Sequence, residues 1–285
     1  MSKMKNKTGS IIAIILLSLL ALGLIFAMCF GIKNINMSEL PKIHLGVSYS
    51  ERLALDREFE LEDIKNIKSE SESADIKFIK SETETDKVQV KIYAEEDKDV
   101  SAENEDHTLD ISVKNQCKGF CINMHGTRVE ITLPESYTGD FEINGNAGDI
   151  ESDSFSYAAF NINSNAGDVK IAGAKSITIA TDAGDIDILS AENISIDSNM
   201  GDIKISECFN KLHIKTSAGD IHINELQLSE NSDIKTDAGD ISINNAGNTY
   251  VDAHANFGDV KVQNNNRNAS TELKIETNAG DIKVN

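Results

Sequence analysis

Eight aspartates at near-regular spacing are the residues of this 285-residue chain best placed to do chemistry: Asp149, Asp168, Asp185, Asp202, Asp220, Asp240, Asp259 and Asp281. Each follows a glycine, in turn Gly148, Gly167, Gly184, Gly201, Gly219, Gly239, Gly258 and Gly280, within motifs such as Asn165-Ala166-Gly167-Asp168-Val169. Carboxylates recurring every 17–22 residues meet only if the chain coils, and stacked coils would then set them about 5–8 Å apart. Repulsion between unit charges about 5 Å apart in water is near 1 kcal/mol per pair, so something must offset it. Backbone N–H groups at the turns would do so, which makes the aspartates turn residues. Divalent cations are the second reading, because Ca²⁺ accepts about 6–8 oxygen ligands, carboxylate and carbonyl. Calcium-binding rolls use nine-residue glycine-rich repeats, and this period does not match them.

Other reactive residues are few. Cys117 and Cys121 lie four apart with His125 following at the same interval. In an exported domain such a pair reads as a local disulfide or as thiols pinching a hairpin loop. A zinc site needs a further ligand, and Cys208 has no C-x2-C partner. His213 and His222 flank Gly219, and alternation points both outward, away from Leu212, Ile214, Ile221 and Ile223. No G-x-S-x-G, P-loop or H-E-x-x-H motif occurs, and only one of four arginines, Arg267, lies among the repeats. Polysaccharide-active β-helices need paired carboxylates walled into a groove, and repeats this short leave only short loops. The expectation is a protein that is not an enzyme and needs no cofactor.

Periods near 20 residues are the mark of solenoids, whose units each cover the apolar face of the next. Ile177, Ile179, Thr181 and Ala183 share one parity and Ile186 and Ile188 the other. Alternation means strands with one face inward, and the slip at Gly184 marks an inserted corner residue. Inward alanines would fit tight corners, and Met200 and Phe257 in their place predict roomier interiors. A meander would not require every second turn to match, whereas stacked parallel coils do. The fold expected is all-β, a parallel solenoid over 136–285 entered through a β cap region, 58–135. Ser73-Ala74-Asp75-Ile76 reads as a degenerate first copy of the repeat.

The pattern Ile-x-Ile-x-(Ser/Thr)-(Asn/Asp)-Ala-Gly-Asp-Ile-x-Ile, entered by strands ending at Leu133-Pro134, resembles the bacterial domain family of unknown function labelled "putative adhesin". The resemblance covers roughly 58–285. It implies a right-handed β-helix-like fold in the cell envelope, often behind an N-terminal membrane helix, and it carries no catalytic residues.

Charge and hydropathy supply the address. Residues 1–31 hold Lys3, Lys5 and Lys7 and no acid, so a net charge of −20 leaves −23 on the remaining residues. A body so acidic repels phosphate backbones, which excludes nucleic-acid binding. Ile11 to Phe30 is 20 residues broken only by Ser18 and Gly23, long enough for a helix across a bilayer of roughly 30 Å. The flanking lysines put residues 1–10 in the cytoplasm, 11–31 in the membrane, and a stalk (32–57) and the β region outside. Ala27-Met28-Cys29 is a poor match to a signal-peptidase site or a lipoprotein cysteine. The function expected is a single-pass, adhesin-like binding or scaffold module of the cell envelope, with a polymer or a surface protein as partner. The alternative is a stress-sensing ectodomain acting through membrane partners. The last repeat, Asp281 to Asn285, reads as an open edge inviting end-to-end dimerisation.

Overall fold

Ile, Val and Leu at every second position force extended chain with one face dry, and glycine with positive φ bends it. In the computed structural model, which describes residues 48–49, 52–115, 125–263 and 265–285, those rules produce strands almost throughout. The first are β1 (Ser48–Tyr49), β2 (Leu53–Glu60), β3 (Asn66–Ser71) and β4 (Ala74–Lys80). Then come β5 (Lys87–Tyr93), β6 (Lys98–Glu105), β7 (Thr108–Asn115), β8 (His125–Leu133) and β9 (Asp140–Gly145). Four long strands follow, each running round a whole coil: β10 (Ile150–Ala166), β11 (Val169–Ala183), β12 (Ile186–Met200) and β13 (Ile203–Ala218). The last are β14 (Ile221–Leu226), β15 (Ser232–Ala238), β16 (Ile241–Asn245), β17 (Tyr250–Phe257), β18 (Val260–Val262), β19 (Glu272–Ala279) and β20 (Ile282–Val284). The membrane segment, the cytoplasmic tail, most of the proposed stalk, Cys117 and Cys121 lie outside the described residues. Among those described, no helix is long and apolar enough to cross a membrane.

Successive coils pair in parallel and in register. Ile171 lies beside Ile188, Ile188 beside Ile205 and Ile205 beside Ile223 on one ladder; Ile179, Ile196, Ile214 and Ile234 run along the other. All these isoleucines are at most 1% exposed, and each such burial is worth about 1.5–3 kcal/mol. Phe78, Phe141, Phe155, Phe160 and Tyr137 replace the aliphatic stack near the N-terminal end, with Phe141 and Phe160 stacked at 4.4 Å. Sheets buried through parallel stacking have this continuous apolar interior.

Chain order and stacking order part at both ends. β3 and β4 stack beneath β9 and the start of β10, while β7 and β8 stack beneath β3 and β4. Antiparallel strands then close that end: β5 on β8, β2 on β5, and β6 on β7. The pairing of β2 draws 53–57, read from sequence as the end of the stalk, into the sheet. At the other end β19 and β20 lie directly on β15 and β16, with β17 and β18 outside them. The chain end is therefore not the open edge expected. It lies inside the stack, with the Asn285 amide donating to the Ile243 carbonyl, and the edge belongs to β17 and β18.

Candidate interaction surface

The glycine corners are built alike. Gly148, Gly167, Gly184, Gly201, Gly219, Gly239, Gly258 and Gly280 have φ between +119° and +148°. Those coils also approach so closely that a Cβ on Gly184 would sit 2.1 Å from the Gly167 carbonyl oxygen. Both constraints select glycine. At the same corner the Asp185 backbone N–H donates to Oδ1 of Asp168, and the Asp202 N–H to Oδ1 of Asp185, each at 2.9 Å. The Ile186 N–H in turn donates to the Asp202 carbonyl at 2.9 Å.

The same bond links Asp75, Asp149, Asp168, Asp185, Asp202, Asp220, Asp240, Asp281 and Asp259 in that stacking order. All eight aspartates singled out in the sequence are thus brought into one line, and Asp75 makes the degenerate copy its first member. A hydrogen bond to a charged acceptor contributes about 1.5–3 kcal/mol, against about 1 kcal/mol of repulsion per neighbouring pair. The backbone bonds therefore offset the repulsion. Among the described residues no group of three or more His, Cys, Asp or Glu converges as a metal site would.

The alanines beside those aspartates face outward, against expectation. Ala147 is exposed and Ala183 half-buried, while Met200 is 62% and Phe257 79% exposed. The inward row ends two positions earlier, at the Ser/Thr position of the repeat pattern: Ser164, Thr181, Ser198 and Thr216 are buried. Their hydroxyls donate to the carbonyls of Ala166, Ala183, Met200 and Ala218. The bend begins at the hydroxyl-bearing residue, so the next inward slot never reaches alanine. The signal was present as Ser or Thr recurring three residues before glycine.

Outside the core, the two ladders differ in chemistry. On the first, Glu130, Lys77, Glu151, Lys170, Asp187 and Lys204 alternate in sign along neighbouring strands, with Lys77 and Glu151 at 3.1 Å. Exposed pairs of this kind fix register more than they stabilise. On the second, β9 to β12 present Asn144, Asn161, Asn163, Thr178, Ala180 and Ser195. Beside them, at the corner, the Asn165 amide donates to Oδ1 of Asn146. A shallow cleft of about 300 Å³ crosses this patch, walled by Glu70, Glu72, Asn144, Asn146, Asn163 and Asn165. Glu142 and Asp197 share this face, and Glu70, Glu72 and Lys114 line the cleft, so the patch is a run of amides and hydroxyls with charged borders.

The histidines stay apart. His213 lies on the second ladder with Nδ1 2.9 Å from Asp233 Oδ1. His222 lies on the first, with Nε2 3.0 Å from Asn224 Oδ1. Cys208 is buried, and desolvation pushes its thiol up to about 11, which keeps it protonated and inert.

A family model described as Toastrack DUF4097 matches residues 64–285. The chain belongs to the Toastrack DUF4097 family. The match runs from β3 to β20 and leaves out β1 and β2. A solved structure from Bacteroides fragilis, described as a "putative adhesin", is 16% identical, covers 84% of this chain and all of that one, and superposes with a TM-score of 0.53. At that identity the likeness shows the shared toastrack fold. A "putative cell adhesion protein" from Clostridium sporogenes is 12% identical over 82% of this chain and 99% of that one, with a TM-score of 0.28. No curated protein matches.

Proposed function

We propose that this toastrack domain is a non-enzymatic, adhesin-like binding module of the bacterial cell envelope. Residues 11–31 would anchor it as a single transmembrane helix, with residues 1–10 in the cytoplasm and the stack outside. The coil would run in the right-handed sense that parallel strand connections adopt. One observation carries the reading: β9 to β12 hold Asn144, Asn161, Asn163, Thr178 and Ser195 in register on a rigid ladder. Amides and hydroxyls both donate and accept, which suits a hydroxyl-rich envelope polymer or the polar surface of another protein. Parallel strands fix their spacing at about 4.8 Å, so a repeating ligand could bind many of them at little entropic cost. The family and its adhesin-labelled structural relative are consistent with this role.

The test is co-sedimentation of the full-length protein, in detergent, with insoluble cell-wall material. Binding should be saturable, and Asn163→Lys with Thr178→Lys should weaken it about tenfold without lowering the melting temperature, because both side chains are exposed and a lost contact of about 1.4 kcal/mol is tenfold in affinity. Unchanged binding by that variant would reject this face as the site, and release of soluble sugar during incubation would point to an enzyme.

A further inference from the structure

We infer that the β17–β18 end of the stack is a homophilic site, pairing with the same end of a second copy held on an opposing membrane. The inference extends the adhesin-like reading and rests on its anchor for the opposing arrangement.

The two ends of the stack are finished differently. At the N-terminal end the edge strands are β2 and β6, paired antiparallel on their inner sides. Residues 95–106, which contain β6, hold seven acids and a single base, Lys98. Charged edges resist pairing. The β17–β18 end has no such defence. Residues 250–271 hold two acids, Asp252 and Asp259, and two bases, Lys261 and Arg267, so this end is neutral in a chain of −20. It is the place where two copies can meet without opposing like charge.

Apolar side chains are uncovered there too. Where the neighbouring coil has buried Ile275 and Ile282, the last coil has Ala253 and Val260. Val260 is 43% and Phe257 79% exposed, and Ala253, Ala255 and Val262 are only partly covered. The ladder stops at Asp259, whose N–H reaches Asp281, and among the described residues no further coil lies beyond it. Among the described residues, the Asn265 amide occupies Val251 on this edge, binding its N–H and its carbonyl, each at 2.8 Å. That clamp leaves the stretch from Ala253 to Val262 to pair.

A second copy fits this edge by symmetry. Identical strands related by a two-fold axis pair antiparallel, and centring the axis on Val260 places Asp259 of each copy opposite Lys261 of the other. Opposite charges directly across a strand pair are favourable. The chain enters the described unit at the other end, where β1 pairs with β8, so joined ends would leave the two entry points on opposite sides of the contact. A single contact of this size would be weak, and many copies on each membrane would add strength by avidity.

The test uses full-length protein reconstituted into two liposome populations carrying donor and acceptor lipid dyes. Docking should raise energy transfer, and Val260→Lys, which sets like charges on the axis, should abolish it without lowering the melting temperature. The exchange Asp259→Lys with Lys261→Asp should dock with itself but about tenfold less with wild type. Undocked wild-type vesicles, or a detergent-solubilised chain monomeric at millimolar concentration, would overturn the inference. Cell-wall co-sedimentation tells the two proposals apart: retained with undocked vesicles, it leaves the envelope-binding reading standing and removes only the homophilic end.

Discussion

Gly184 and Asp185 divide the work of the corner between conformation and hydrogen bonding, and substitutions can separate the two. Gly184→Ala must hold a Cβ at φ +129° and 2.1 Å from the Gly167 oxygen. The backbone conformation alone costs about 1–3 kcal/mol, and the clash adds to it, so thermal melting should show a clear fall in midpoint. Asp185→Asn keeps an oxygen for the Asp202 N–H and removes one charge of the line. It should melt at or above wild type, whereas Asp185→Ala orphans that N–H and should cost about 1–3 kcal/mol. Calcium should raise the midpoint no more than magnesium at equal ionic strength; a saturable calcium-specific rise would make the line a metal site. The glycine and aspartate roles were legible because their spacing is a sequence property. The outward turn of Met200 and Phe257 was not, because the inward row ends two residues earlier, at Ser198 in one coil and Ala255 in the other, and parity counting carries it on.

At the scale of elements, the repeat announced the coils but not their order. Every corner motif is chemically equivalent, so nothing in Asn256-Phe257-Gly258-Asp259-Val260 or Asn278-Ala279-Gly280-Asp281-Ile282 says which stacks first on Asp240. Side chains decide: Leu273 and Ile275 of β19 are fully buried, and such residues need a coil on each side, while Ala253 tolerates an open one. The antiparallel cap of β2, β5 and β6 was likewise hidden, since alternation marks a strand and not its direction. Removing 271–285 should therefore cost more than one coil. It withdraws β19 and β20 and strands β17 and β18 without a neighbour, so the truncated protein should lose protection across 250–262 in hydrogen exchange as well. Retained protection there would mean that β17 and β18 can dock directly on β15 and β16.

For the whole molecule, a stack in which each coil touches only its neighbours behaves as a one-dimensional array. Stability should be highest in the middle and fall toward the uncapped end. Native-state hydrogen exchange should find the slowest amides in β11 to β13 and faster ones in β17 and β18; uniform protection would point instead to a single cooperative unit. The nesting of β19 and β20 between the β15–β16 and β17–β18 coils bears on how the protein is made. A ribosome delivers β17 and β18 before β19 and β20, so the last coil of the stack is synthesised while the one beneath it does not yet exist. Stacking in chain order must therefore wait after β16 until β19 and β20 have been made. Until then β15 and β16 keep an unsatisfied sheet edge, so the stack closes out of chain order.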